Sequence, residues 1–266
     1  MNSKYKLIKF IIDKFENTED FISVEEPLEI SLKYKEKGNW TTKNLSITMR
    51  TPGEDENLVR GFLFNEQIIQ DISDIDKIES FGDKVGSYKI QNKILVTLNN
   101  SKNIDISKIK KDFLTNSSCG VCGKSSLDAL EIIKKEKTKN LISKISKDII
   151  IQSPSVLRKN QSEFAKTGGI HASGLFSVEG KLISVSEDVG RHNALDKLIG
   201  KALVKQQLNP NIQFITCSGR LNFELVQKVL MTNIGLMIGV GAPTSLAIDL
   251  ANRFDMTLIG FVKEDS

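Results

Sequence analysis

The second half of the chain alternates short, wholly apolar runs with amphipathic stretches, and this alternation limits the fold more than any other feature. "HASGLFSVEGKLISVSED" (171–188) reads as two strands around a Glu179-Gly180 turn. Leu195, Leu198, Ile199, Ala202 and Leu203 then recur at helical spacing. "IQFITC" is an apolar strand, "NFELVQKVLMTN" a helix, "GLMIGV" a strand, "PTSLAIDLANRF" a helix and "MTLIGFV" a strand. Apolar strands separated by helices predict a layered α/β sheet, largely parallel in this half.

The first half is mixed. "LSITMR" (45–50) alternates like a strand, and "TPGEDENLVRGFLFNEQII" follows it. Thr51 and Glu54 have the spacing of a capping box, with Pro52 at the first helical position and Leu58, Phe62 and Leu63 on one face. "SYKIQNKILVTL" (87–98) reads as a β-hairpin with a polar turn. A helix is expected from about Ser126, dissolving into the lysine-rich "KKEKTKNLISKISK", which reads as a solvated face or linker. The expected organisation is an N-terminal α+β domain over 1–115, a mobile cysteine loop, helix and linker over 116–150, and a second α/β domain over 151–266.

With 266 residues, 39% apolar and 26% charged, the chain is an ordinary globular one, able to bury a real core. A net charge of +4 is too mild to argue for nucleic acid. The basic N-terminus has its apolar run broken by Lys9 and Asp13, and no small-residue cleavage site follows, so it does not read as a secretory signal. The most apolar region, 226–251, contains Asn233, Gly239, Gly241, Pro243 and Asp249, a poor pattern for a membrane span. Three cysteines without a signal peptide imply free thiols in a reducing compartment, and a cytoplasmic protein is expected.

In an α/β sheet the loops leaving the strand ends carry the chemistry. "TGGIHAS" holds His171 beside two glycines, and "SEDVGRHNALDK" crowds Glu187, Asp188, Arg191, His192, Asn193, Asp196 and Lys197 around one strand-to-helix turn. "TCSGRLNFEL" adds Cys217, Ser218 and Arg220. A guanidinium at a helix start, where backbone N–H groups are free, makes an anion site. Arg191 with His192, and Ser218 with Arg220, supply that recipe twice and suggest a phosphate-bearing ligand. Each histidine alone reads equally well as a structural residue, and the apolar positions of "GAPTSLAIDLA" read as a core helix.

"NSSCGVCGKSS" (116–126) holds the other two cysteines, Cys119 and Cys122. A structural zinc needs four ligands, and no second pair at knuckle spacing is present, so no metal is expected here. A thioredoxin-type dithiol would sit at the end of a strand, whereas "KKDFLTNSS" before the pair is polar. The surroundings fit an exposed nucleophile better. A helix that follows the pair favours thiolate, and the flanking glycines leave the sulfur accessible. Persulfide formation belongs to the reversible chemistry of such cysteines.

"RTPGEDENLVRGFLFNEQII", "CGVCG", "GGIHASGLF", "EDVGRHNALDKLIG", "SGRLNFELVQK" and "GAPTSLAIDLA", in this order, resemble the formate dehydrogenase accessory sulfurtransferase family, FdhD. The resemblance runs from about Arg50 to the C-terminus. It implies a protein that takes sulfur as a persulfide from a cysteine desulfurase. The sulfur is delivered to the metal of a molybdenum (or tungsten) bis-guanine-dinucleotide cofactor, which formate dehydrogenase needs for activity. It further implies a cytidine-deaminase-like fold for the C-terminal half, guanine nucleotide binding and a homodimer. Cys119 corresponds to the persulfide cysteine and Cys122 to its partner. Phe261, Val262, Lys263, Glu264, Asp265 and Ser266 lie where cofactor contact is implied, although family members often continue further. His171, Arg191, His192, Ser218 and Arg220 complete the expected cofactor-binding set.

Two other readings compete. A zinc hydrolase of deaminase type needs a His-x-Glu or Cys-x-Glu pair with P-C-x-x-C, and the chain lacks both. A non-catalytic cofactor chaperone would use the cysteines only to close a loop.

Overall fold

The computed structural model describes residues 1–99, 137–263 and 266, and its strands and helices are numbered through those residues. The chain opens with β1 (Asn2–Ile11) and β2 (Lys14–Ser23), an antiparallel hairpin that turns at Ile12 and Asp13, both at positive φ. Next come β3 (Glu26–Glu36), β4 (Asn39–Arg50), α1 (Asp55–Asn65), β5 (Ile75–Val85) and β6 (Ile90–Leu98). They make a four-stranded sheet in the order β4-β3-β6-β5, with β3 and β6 parallel and the other pairs antiparallel. Leu28, Ile30 and Leu32 of β3 and Ile94, Val96 and Leu98 of β6 turn to one side, the period of two that a half-buried strand requires. Leu58, Val59 and Leu63 of α1 close over them, and each such side chain stabilises by roughly 1.5–3 kcal/mol when fully buried.

Two local expectations fail here. Residues 87–98 are not a hairpin of their own. Ile90–Leu98 is one strand whose hairpin partner is β5, and the turn between them uses Gly86 (φ 71°) and Lys89 (φ 50°). Gln91, Lys93 and Thr97 mark the more exposed face of a continuous strand, while Asn92 lies on its buried face. The capping box is also absent. Helix α1 begins at Asp55, after Glu54 in the left-handed region, with no side-chain cap. Thr51 is held elsewhere: its N–H donates to Asp188 Oδ2 (3.1 Å) and its Oγ1 accepts from Val189 N (3.2 Å).

The second half runs α2 (Lys147–Lys159), α3 (Ser162–Thr167), β7 (His171–Ser177), β8 (Leu182–Asp188), α4 (Arg191–Val204) and β9 (Gln213–Cys217). It ends with α5 (Phe223–Met231), β10 (Leu236–Gly239), α6 (Ser245–Arg253) and β11 (Thr257–Ile259). The five strands lie in the order β11-β10-β9-β7-β8. β9, β10 and β11 are parallel, while β7 and β8 run antiparallel to their neighbours, so the layered α/β sheet is mixed. Its inner strands β9 and β10 read as continuous apolar runs because both faces are covered. Ile215 and Met237 face α4, α5 and α6, whereas Phe214, Leu236 and Ile238 face α2. The lysine-rich segment before α2 contributes to that second face. Leu141 and Ile145 are buried in it while Lys139 and Lys144 stay exposed.

Helices α1 and α4 join the two sheets at backbone contact. A Cβ on Gly61 would collide with the carbonyl of Asp196, and one on Gly200 with the carbonyl of Asn57. Two buried ion pairs flank this crossing. Lys197 Nζ lies 2.7 Å from Asp188 Oδ2 and donates to Thr51 O (2.7 Å). Lys228 Nζ donates to Asp196 Oδ1 (2.8 Å), which also accepts from Asn65 Nδ2 (2.6 Å).

Gly200→Ala separates close packing from helix propensity. In an open helix the substitution gains about 1 kcal/mol. Here the clash is expected to reverse the sign and to destabilise by about 1–3 kcal/mol. Urea unfolding should show a lower midpoint at unchanged slope, and a raised midpoint would reject the backbone contact.

Candidate functional site

The three polar loops that hold His171, Arg191 and Arg220 meet along one edge of the five-stranded sheet. His171 begins β7, and Asp188, which pairs with it in register, ends β8. Because β7 is antiparallel to β9, His171 also lies beside Ser218, which follows β9. Ser218 N donates to Ala172 O (3.0 Å) and Ser218 Oγ accepts from Ala172 N (2.9 Å). The turns after β9, β10 and β11 then extend the sheet with backbone bonds. Gly241 N donates to Gly219 O (3.2 Å), Leu221 N to Ala242 O (3.0 Å) and Phe261 N to Gly241 O (3.2 Å). The close approach requires glycine: a Cβ on Gly241 would sit 2.7 Å from Arg220 N, and one on Gly219 would sit 3.2 Å from His171 Nδ1.

Helix α4 starts at this edge. Its cap is Gly190, which has no side chain to satisfy the first N–H groups. Arg191 reaches over Gly219, and its buried Nε has no hydrogen-bond partner among the described residues. His192 is held from the other side. Its Nε2 lies 2.9 Å from Glu224 Oε2 and 3.0 Å from Asn222 Nδ2, and Asn222 Oδ1 in turn caps α5 by accepting from Leu225 N (3.2 Å). The Glu224 carboxyl sits below the ordinary carboxylate range. The His192 hydrogen bond is the main cause, with the charges of His192, Lys228 and Arg191 adding to it against the opposing effect of burial. Burial, then the neighbouring Arg191 and His192, push the His171 pKa down, with Asp188 opposing. The edge thus gathers Arg191, His192 and His171 around open helix N–H groups, which suits an anion.

The structure brings together His171, Arg191, His192, Ser218 and Arg220 of the expected set, with Arg220 exposed. Phe261 joins the same edge, exposed and at φ 58°, an unusual backbone for an aromatic residue. Val262 instead packs its side chain into the core under β10. Lys263 N donates to Ser266 O (2.7 Å). Cys119, Cys122, Glu264 and Asp265 lie outside the described residues. Cys217 is buried against Ser173 Oγ (3.4 Å), and burial pushes its thiol up to about 11, which keeps it protonated at neutral pH. Sequence reasoning missed Glu224 and Asn222. The only signal was a capping Asn two residues before an acid, close behind Arg220. Glu187, by contrast, leaves the site and caps α3 by accepting from Glu163 N (3.0 Å) and Phe164 N (2.9 Å).

The two histidines can be followed separately by NMR. His171 is expected to titrate below 6.5, and Arg191→Ala is expected to raise its midpoint by removing a nearby positive charge. Because the folded value is depressed, the stability linked to His171 is present above about pH 6.5 and is lost as pH falls through the folded value. A His171 midpoint unmoved by Arg191→Ala would mean that the guanidinium does not face it.

The FdhD/NarQ family profile matches residues 23–266. The sulfur carrier protein FdhD of Sulfolobus acidocaldarius is 41% identical over 250 residues, covering 94% of this chain and 88% of that protein. The sulfur carrier protein FdhD of Mycobacterium bovis is 37% identical over 252 residues, covering 92% and 87%. A crystal structure from Desulfotalea psychrophila, described as a formate dehydrogenase accessory protein, aligns with a TM-score of 0.71 over 100% of this chain and 94% of that one. At 21% identity that likeness establishes the shared fold. With a family match across nearly all of its length, on a mixed α/β fold whose loops meet at one sheet edge, the chain belongs to the FdhD/NarQ family.

Proposed function

We propose that the protein is a sulfurtransferase that carries a persulfide on Cys119 and delivers its sulfur to a molybdenum or tungsten bis-guanine-dinucleotide cofactor destined for formate dehydrogenase. The observation that carries this reading is the match over residues 23–266 to a family whose curated members are named sulfur carriers. The donor is a cysteine desulfurase. The Cys119 thiolate attacks the outer sulfur of the donor's persulfide, the donor's S–S bond breaks, and the donor departs as a thiolate. Cys122 then acts by one of two routes: its thiolate attacks the outer sulfur and takes it over, releasing the Cys119 thiolate, or it attacks the inner sulfur, releasing sulfide and closing a disulfide that a cellular dithiol reduces again. A soft sulfur ligand suits the soft metal of the substrate cofactor. The protein works in the cytoplasm and as a homodimer.

The anion cluster supports the nucleotide part of this reading. Each guanine dinucleotide arm carries phosphates, and Arg191, the uncapped start of α4, Ser218 and Arg220 offer donors at one edge. The neighbouring exposed ring of Phe261 offers an apolar surface. His192 is oriented by Glu224 and Asn222, so its Nε2 is occupied and its Nδ1 is the atom left for a ligand.

Guanosine diphosphate serves as a mimic of one arm's end. Calorimetry is expected to show that Arg191→Ala and Arg220→Ala each lose roughly 1.5–3 kcal/mol of binding, the worth of a charge-assisted contact. Unchanged affinity in both variants would place the phosphates elsewhere.

The sulfur step is tested by intact and peptide mass after incubation with a cysteine desulfurase and cysteine. Wild type should gain one sulfur on the peptide holding Cys119. Cys119→Ala should lose both that gain and the ability to activate formate dehydrogenase, while Cys217→Ala keeps both. A Cys119→Ala protein that still matures the dehydrogenase at the normal rate would leave a cofactor chaperone as the function.

A further inference from the structure

The donors along the cationic edge differ in one respect. Arg191 and Arg220 stay charged at any working pH, and the free N–H groups of α4 carry a fixed partial charge, whereas a histidine changes its charge near neutrality. Of the two histidines, His192 is the one that touches a carboxylate among the described residues: its Nε2 lies 2.9 Å from Glu224 Oε2.

The partners of Nε2 decide where the ring keeps its hydrogens. Asn222 serves either form, because its Nδ2 stands 3.0 Å and its Oδ1 3.2 Å from Nε2. Glu224 does not. Its carboxyl is held below the ordinary range, first by the hydrogen bond to His192, and is therefore ionised at neutral pH. Its Oε1 is buried and receives no hydrogen bond from the described residues, so the ring is the donor on which this carboxylate depends. A bare Nε2 would set a lone pair against a carboxylate oxygen at 2.9 Å. A hydrogen on Nε2 instead makes a charge-assisted bond to Oε2, with Asn222 Oδ1 as a second acceptor. Nε2 thus keeps its hydrogen whether the ring is neutral or charged, and Nδ1 is the atom at which the charge changes. Among the described residues Nδ1 has no hydrogen-bond partner.

A neutral ring presents a lone pair at Nδ1, and the oxygens of an ionised phosphate only accept. Neutral His192 therefore repels the ligand that its imidazolium would bind. The charged and titratable groups around the ring come from several elements. Arg191 precedes it on α4, His171 stands at the start of β7, Arg220 lies exposed in the turn after β9, and α5 brings Glu224 and Lys228. Lys228 is committed to Asp196, and Asp188 at the end of β8 to Lys197. Glu224 and Arg191 act on the ring in opposite directions, so the charge of an incoming ligand can tip the balance. We propose, on the reading of this edge as the nucleotide site, that His192 takes up a proton at Nδ1 when the diphosphate of a guanine dinucleotide arm binds and returns it to water on release, with Glu224 as the positioning residue that keeps the other hydrogen on Nε2. One N–H bond forms with a proton from solvent, and no other bond changes.

Calorimetry with GDP-mannose reads this proton directly, because both of its phosphates are esterified and do not titrate near neutrality. The binding enthalpy is measured in buffers of different ionisation enthalpy, over a series from weakly acidic to weakly alkaline pH. Wild type should take up close to one proton where the effect peaks. Its affinity should fall by up to about tenfold per pH unit over that interval, the slope that one linked proton gives. His192→Gln is expected to bind without this uptake, Glu224→Gln to lose at least half of it, and His171→Gln to keep it. Nitrogen-15 NMR should find the hydrogen of neutral His192 on Nε2 in wild type and shared between the two nitrogens in Glu224→Gln, a change that a merely structural glutamate would not cause. Binding by wild type with no proton uptake at any pH, or an uptake that survives His192→Gln, would overturn the inference and leave the nucleotide site standing. An uptake lost in His171→Gln would reject His192 in favour of His171. A wild type that does not bind GDP-mannose would overturn the nucleotide reading itself, and the proton uptake with it.

Discussion

The fold depends on one buried ion pair. Asp188 and Lys197 are almost completely removed from water, and neither could stay there alone. Burial pushes the Asp188 carboxyl up, and Lys197, Gly190 N–H and Asn193 pull it back. Thr51 N–H donates to the same carboxylate, while Lys197 donates to Thr51 O. The pair therefore ties together the end of β4, the end of β8 and the first turns of α4. Losing one partner of such a pair costs about 3–5 kcal/mol in general, because the other charge is left buried. The glycine crossing of α1 and α4 lies beside it, so the junction is fixed by backbone contact as well as charge.

That arrangement also sets the chemistry of the site. Asp188 is the acid in register with His171, and it would otherwise neutralise the cationic edge. Its oxygens are taken by Lys197, Thr51 N, Gly190 N and Asn193 Nδ2. Glu187 is likewise spent on α3, and Asp196 on Lys228 and Asn65. The acids of "SEDVGRHNALDK" thus turn inward or away, and Arg191 and His192 remain at the surface of the edge. Glu224 is the acid left at the site, and it engages His192 Nε2.

Much of this was legible in the sequence, for a physical reason. Strands covered on both faces must be apolar throughout, so β9 and β10 announced themselves, as did α5 and α6 between and after them. The Glu179-Gly180 turn marked β7 and β8 as a hairpin, but the apolar runs gave no warning that β7 is also antiparallel to β9, because burial on both faces looks alike in either direction. Residues 87–98 were misread because Gln91, Asn92 and Lys93 resemble a turn, yet Asn92 is buried and accepts from Arg50 Nη2 (3.1 Å). Thr51 was misread as a cap because its partners come from 137 and 138 residues away. The loops of the site were found by their polarity, while the direction each side chain takes was not. Glu187, Asp188 and Arg191 look equivalent in a string and face three different ways in space.

The site's edge also explains why glycine recurs where the sequence shows Ser218-Gly219-Arg220, Val240-Gly241-Ala242 and Ile259-Gly260-Phe261. The parallel strands β9, β10 and β11 end level with one another, and their outgoing turns keep bonding to each other past the last strand residue. A Cβ on Gly260 would lie 2.6 Å from Pro243 Cδ, just as one on Gly241 would strike Arg220 N. Three turns drawn this close are in backbone contact with one another. Arg220 is linked through Gly241 to Phe261, whose left-handed backbone is held by the bond from its N–H to Gly241 O. The cationic end of the edge, at α4, and its aromatic end, at β11, are joined by one run of backbone hydrogen bonds. A ligand with a charged group at one end and a flat ring at the other would meet both without requiring the protein to rearrange.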